Sequence, residues 1–195
     1  MLFRSLTDAT ALARQRGLAT HLDGARLFNA AVALGGDPQA RAREMAQLFD
    51  TVSVCFSKGL GAPVGSALVG PRELIACAHR WRKMLGGGMR QSGLLAAAAL
   101  HALDHQVDRL ADDHALAHRL ACGLRGLPGL TVEPPQTNIV FAALQGERAA
   151  GLMAHLKARG VLATGLYKLR FVTHLDVDAA GIDRAVAAVR EHLSA

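Results

Sequence analysis

Residues 53–65 read SVCFSKGLGAPVG, an apolar run that leads straight into a lysine ringed by glycines. An ammonium group at the end of an apolar strand loses hydration. The chain also uses lysine sparingly, with four against eighteen arginines, so Lys58 needs a reason. A second polar residue, Asp23, follows another short apolar run in ATHLDGAR. In open parallel sheets the ligand crevice lies at the carboxyl ends of the strands, so an acid and a lysine presented there can face one ligand. A desolvated lysine gives up its proton more readily and becomes an amine nucleophile toward carbonyls. That chemistry suits pyridoxal 5'-phosphate, whose aldehyde condenses with lysine and whose ring nitrogen needs a carboxylate partner. Without a cofactor the same two residues read as a Lys58–Asp23 ion pair or as a solvated loop lysine. The S-K-G tripeptide does not choose between them.

The elements that position these residues follow from the patterning. Ser5–Arg16 has helical spacing and stops at Gly17. Leu18–Leu22 predicts a strand ending at Asp23-Gly24, and a helix follows over Ala25–Leu34, closed by Gly35-Gly36. Asp37-Pro38 predicts an N-cap and first helical position for a helix to about Leu48. Strands are predicted at Thr51–Phe56 and Ser66–Val69, with a helix from Pro71 through about Met84. Strands alternating with helices predict a mostly parallel, covered sheet.

After Gly86-Gly87-Gly88, Ala/Leu-rich helix is predicted from Gln91 to about Leu124, bent or split near Asp104 or Asp112. The texture then changes. Short strands at Leu130–Val132, Asn138–Leu144 and Leu169–Thr173 surround a helix at Glu147–Arg159, and a last helix covers Asp178–Leu193. Two domains are expected: residues 1–95 as part of a large α/β domain, and 96–195 as a small α+β domain entered through a long helix.

Composition narrows the function. The formal charge of +6 raises nucleic acid as a partner, but the basic residues are scattered apart from Arg80-Trp81-Arg82-Lys83. With one Trp and one Tyr there is no platform for stacking bases, so no nucleic-acid partner is expected. Cys55, Cys77 and Cys122 lie far apart without C-x-x-C pairing, which predicts reduced thiols in a cytoplasmic protein. The N-terminal residues lack the apolar core of a signal peptide, and Leu94–Leu100 is too short to cross a bilayer, so no membrane partner is expected. None of the nine histidines sits in a HExxH-type pattern, so no metal is expected. His21 reads as a packed core histidine.

Taken together, HLDGARLFNAAVALGG (21–36), SVCFSKGLGAPVGSALVG (53–70), RWRKMLGGGMRQSGLLAAA (80–98) and LRFVTHLD (169–176) resemble the L-threonine aldolases. These are fold-type-I pyridoxal-phosphate enzymes of the β-eliminating lyase superfamily. The resemblance spans almost the whole chain in the expected order. It implies the C-terminal part of an aspartate-aminotransferase-type large domain with a mostly parallel sheet, followed by the small domain. It further implies that Lys58 holds pyridoxal 5'-phosphate and Asp23 bonds the pyridine nitrogen. Arg26 and Arg170 would bind the substrate carboxylate, Arg90 would reach the phosphate from a neighbouring subunit, and Lys83 would stand near the entrance. The implied reaction is cleavage of L-threonine or L-allo-threonine to glycine and acetaldehyde in a homo-oligomer, a dimer or tetramer.

Some physical logic is independent of the resemblance. A guanidinium binds a carboxylate bidentately, Arg26 lies three residues beyond Asp23, and three glycines permit close approach of backbone to a phosphate or another subunit. The plainer readings are a surface helix arginine at Arg26, an edge residue with a solvated head at Arg170, a helix cap at Arg90, and a simple loop at Gly86–Gly88. The family's N-terminal portion, which brings the phosphate-gripping loop and a histidine stacked on the ring, has no counterpart here. The chain is therefore expected to be a truncated reading frame or a fragment whose activity alone is in question. Competing readings are another fold-type-I lyase or aminotransferase, and a non-catalytic dimerising remnant.

Overall fold

The computed structural model describes residues 2–144, 151–165 and 168–194. The chain divides into two compact units, Met1–Asp108 and Arg109–Ala195.

In the first unit, α1 (Leu2–Gln15) precedes β1 (His21–Gly24), α2 (Leu27–Leu34), α3 (Pro38–Ala46), β2 (Thr51–Cys55), β3 (Ser66–Val69), α4 (Arg72–Met84) and α5 (Gly93–His105). The sheet runs in the order β1-β2-β3. β1 and β2 are parallel, with His21 opposite Thr51, Asp23 opposite Ser53 and Gly24 opposite Val54. The long connection through α2 and α3 permits this, since a parallel return needs about a dozen residues or more. Residues 56–65 are too few for such a crossover, and β3 runs antiparallel to β2. Of the two pairings in this sheet, then, only one has the parallel sense that the helix–strand alternation predicted.

Alternation along the strands separates two faces. Leu22, Val52 and Val54 pack with Leu27, Ala31, Ala42 and Met45, so α2 and α3 cover one face. Asp37 caps α3 as expected, its carboxylate accepting from Gln39 N and Ala40 N. Asp23 lies inside β1 rather than after it, on the opposite face with His21, and both are exposed. His21 is therefore not a core histidine. Its Nδ1 lies 2.8 Å from Thr51 Oγ1, a partner supplied by the parallel register. Just before the strands, Thr20 donates to Asp50 Oδ2 through its N–H (2.6 Å) and hydroxyl (2.9 Å). These bonds hold the Asp50 carboxyl below its ordinary range and tie the starts of β1 and β2 together.

Gly24 has a geometric reason. A Cβ there would lie 2.6 Å from Ser53 O and 3.1 Å from Val52 Cγ1, so β2 approaches too closely for any side chain. Gly24→Ala is expected to lower stability by about 1–3 kcal/mol, as overpacking does, measured as a lower urea midpoint at unchanged slope. A midpoint equal to wild type would show that the strands separate freely.

The second unit contains α6 (Leu110–Leu124), β4 (Leu130–Val132), β5 (Ile139–Leu144), α7 (Leu152–Ala158), β6 (Leu169–Val172) and α8 (Ala179–Ser194). Its sheet, β4-β5-β6, is antiparallel throughout. Leu120, Leu124, Val140, Leu152, Leu156, Phe171 and Val189 form its core. Gly123 lets α8 come close to α6, since a Cβ there would stand 2.6 Å from Val186 Cγ2. Of the helix expected from Glu147, residues 147–150 lie outside the described residues. The predicted helical region Gln91–Leu124 is split, as α5 and α6 are separate helices. The units divide in that break, so α5 belongs with the first unit, whereas the sequence reading set the boundary after residue 95. The break holds Val107 and Asp108, both weaker helix formers, and Val107 is buried there.

Candidate functional site

Lys58 and Asp23 stand at the carboxyl-terminal edge of two neighbouring parallel strands. Asp23 is the next-to-last residue of β1, and Lys58 follows the end of β2. The connection after β2 is tied by its own backbone: Gly61 N donates to Lys58 O (2.9 Å), Ala62 N to Phe56 O (2.9 Å) and Phe56 N to Gly65 O (3.0 Å). Gly61 and Gly65 hold φ of 72° and 111°, which side-chain-bearing residues rarely adopt. Leu60 is buried and anchors the loop, while Lys58 is exposed. The water-poor setting expected for Lys58 is thus not found. Asp23 Oδ1 accepts from Ala25 N at 3.1 Å, forming a small Asx turn that presents the carboxylate at this edge.

Arg26 is half-buried and occupies the N-cap position of α2, with its carbonyl accepting from Ala30 N (3.1 Å). The structure therefore brings Asp23, Arg26 and Lys58 to one sheet edge and its flanking loops. Lys83 and Arg90 are exposed, on the last turn of α4 and beyond the three glycines. The close approach that these glycines permit is to α4 itself. Gly87 N donates to Arg82 O (2.8 Å), and a Cβ on Gly88 would stand 2.8 Å from Lys83 Cδ. Arg170 belongs to the second unit. It pairs with Phe141 across β5 and β6, on the face opposite the buried Phe171, and is bridged to Thr164 through Arg170 N to Thr164 O (2.6 Å) and Thr164 N to Arg170 O (3.1 Å).

Residues 3–147 match the family described as beta-eliminating lyase. The chain belongs to that family. As a beta-eliminating lyase chain it is 47% identical over 189 residues to the low specificity L-threonine aldolase of Escherichia coli K12, covering 97% of this chain and 55% of that protein. It is 40% identical over 178 residues to low-specificity L-threonine aldolase 1 of Arabidopsis thaliana, covering 88% and 49%. The chain thus spans about half the length of the curated relatives it matches. Among solved structures, the Leishmania major threonine aldolase superposes with a TM-score of 0.79 at 22% identity, over 97% of this chain and 56% of that one. The Sphingomonas wittichii serine palmitoyltransferase gives 0.71 at 19%, over 96% and 50%. These likenesses establish the α/β fold expected from the sequence, shared with those threonine aldolase and serine palmitoyltransferase structures.

One polar centre escaped the sequence reading. Asp113 is fully buried in the first turn of α6, paired with Arg109 four residues earlier, and Thr173 Oγ1 donates to Asp113 O at 2.6 Å. Asn138 Nδ2 donates to Thr173 O at 2.8 Å, so α6, β5 and β6 meet at one polar knot. The signal was available: Asp113 shares the helical stripe of Ala117, Leu120 and Leu124.

Proposed function

We propose that this chain carries the cofactor-bonding lysine and acid of a pyridoxal 5'-phosphate-dependent L-threonine aldolase. The intact enzyme cleaves L-threonine, L-allo-threonine and related β-hydroxy-α-amino acids to glycine and an aldehyde. The observation that carries this reading is the presentation of Asp23 and Lys58 on one carboxyl-terminal strand edge, within HLDGAR and SKGLG. The donor set fits the cofactor. Lys58 has no ion-pair partner among the described residues, and Asp23 has Oδ2 to offer a ring N–H while Oδ1 is held by Ala25 N.

The cofactor, when bound, supplies the electron sink for the bond broken at the substrate's Cα. Lys58 would offer its amine to the cofactor's aldehyde, and the Asp23 carboxylate would hold the ring N–H. The resemblance gives Arg26, and separately Arg170 of the second unit, the role of binding the substrate carboxylate, for which a planar guanidinium is suited. Arg90 would contribute to a neighbouring subunit's phosphate site, and Lys83 would stand near the entrance. A homo-oligomer, dimer or tetramer, is supported by Trp81, Met84, Leu85, Met89 and Leu94, large apolar side chains exposed by 57–83% around one α4–α5 connection. The free thiols of Cys55, Cys77 and Cys122 suit a cytoplasmic setting.

The exposure of Lys58 favours a second reading, a non-catalytic dimerising remnant. Incubation with pyridoxal 5'-phosphate, borohydride reduction and peptide mapping separates the two. The aldolase reading expects an adduct selective for Lys58 over Lys83, Lys157 and Lys168, and glycine with acetaldehyde from L-threonine in the intact-length enzyme. An adduct without preference favours the remnant, and a different product set from L-threonine points to another fold-type-I lyase or an aminotransferase.

A further inference from the structure

We propose that the second unit holds a binding site for a free apolar α-amino acid. A cavity of about 230 Å³ lies between α6, β6, α8 and the turn that follows α7. Its floor is apolar and comes from three elements: Leu120 of α6, Phe171 of β6 and Ile182 of α8, exposed by only 2%, 5% and 3%. Pockets for drug-sized ligands span about 300–1,000 Å³, so this one suits a smaller molecule with a branched aliphatic group.

The mouth carries both signs of charge. Asp176 and Asp178 stand on the turn between β6 and α8, and Arg184 on the first turns of α8, all three exposed and lining the cavity. Their commitments differ from those of their neighbours. Asp183, beside Arg184, is gripped by Arg119 through two bonds of 3.0 and 2.7 Å. Arg184 has no ion pair among the described residues. Asp178 spends Oδ1 on Gly181 N (2.7 Å), leaving Oδ2, and Asp176 Oδ2 lies 3.6 Å from His174 Nδ1.

A guanidinium is built for a carboxylate, and a carboxylate pair for an ammonium. The ligand that satisfies both, while burying an aliphatic side chain on the floor, is a zwitterionic amino acid of the leucine or valine kind. A fatty acid leaves the aspartates unanswered, and an aliphatic amine leaves Arg184 unanswered. The cavity is formed wholly by the second unit, so this inference is independent of the cofactor and of the reaction proposed above.

The test is titration of the full chain with L-leucine, followed by backbone amide NMR, with 4-methylpentanoate and isoamylamine as single-charge probes. Saturable shifts are expected for residues 171–185, with each single-charge probe binding about tenfold or more weakly, since one charge-assisted contact is lost. Arg184→Gln, an exposed change, is expected to weaken L-leucine by a similar factor. Ala185→Leu, which fills the cavity, is expected to abolish binding. Should that variant lose its fold, Arg184→Gln and the two probes decide the question. No saturable shift with L-leucine, equal binding of 4-methylpentanoate, or undiminished binding by Arg184→Gln would each overturn the proposal.

Discussion

Lys58→Ala is expected to leave the chain folded and to lose the borohydride-trapped pyridoxyl adduct in residues 53–65 completely. The fold should tolerate the change because Lys58 is exposed, while buried Leu60 and the backbone bonds at Phe56, Gly61 and Ala62 hold the loop. Surface substitutions of this kind usually stay within about 0.5 kcal/mol. Lys58→Arg should fail equally, because a guanidinium keeps its proton and does not condense with an aldehyde. Asp23→Asn separates the two roles. It keeps the amine, so an adduct still forms, but it removes the charge that holds the ring nitrogen. Cofactor affinity should then fall by about 10–100-fold, the value of one charge-assisted hydrogen bond. The idea sinks if Lys58→Ala removes only a quarter-like share of an adduct spread evenly over the four lysines, or if Asp23→Asn binds the cofactor as wild type does.

The contrast between what the sequence announced and what it hid has a physical pattern. Local signals survived folding. The Asp37-Pro38 start of α3, the limits of β3 and β4, and the Gly35-Gly36 end of α2 depend on a few neighbouring residues. The antiparallel sense of β3 was missed: helix–strand alternation was read as a mostly parallel sheet, although residues 56–65 are too few for a crossover. Exposure was not legible. The apolar run before Lys58 made its loop read as an interior one, yet the amine's surroundings depend on what covers the strand edge, and no residue within SKGLG settles that. His21 misled for a similar reason: two-residue alternation puts it on the face with Asp23, but which face is covered is decided by α2 and α3. The triple glycine was read toward a phosphate or another subunit; within the chain, Gly87 and Gly88 also pass close to Arg82 and Lys83 of α4.

The second large expected effect concerns Arg109 and Asp113. Arg109→Ala should destabilise the second unit by about 3–5 kcal/mol, the cost of stranding a buried charge. Asp113→Asn should cost clearly less. The asymmetry follows from exposure: the Arg109 side chain is 19% exposed and can hydrate when its partner is gone, whereas the Asp113 side chain is 0% exposed. In addition, Asp113 Oδ2 has no hydrogen-bond partner among the described residues, so part of its charge is already uncompensated. Burial accordingly raises the Asp113 pKa, against the lowering effect of Arg109 and His174 and with help from Asp112. The sign for stability follows. A carboxyl with a folded pKa above its unfolded value of 3.8 binds its proton more tightly when folded, so stability rises as pH falls through the folded pKa toward 3.8. Two groups in the same unit oppose this. His114, lowered by burial and by His118, loses stability as pH falls below 6.5, and Glu191, lowered chiefly by Arg159, does so below 4.5. The difference in unfolding free energy between wild type and Asp113→Asn removes both, and it should shift in favour of wild type as pH is lowered from 7 toward 4. A flat difference, or Asp113→Asn as damaging as Arg109→Ala, would mean that the pair is held together by its own attraction rather than tolerated against the cost of burial.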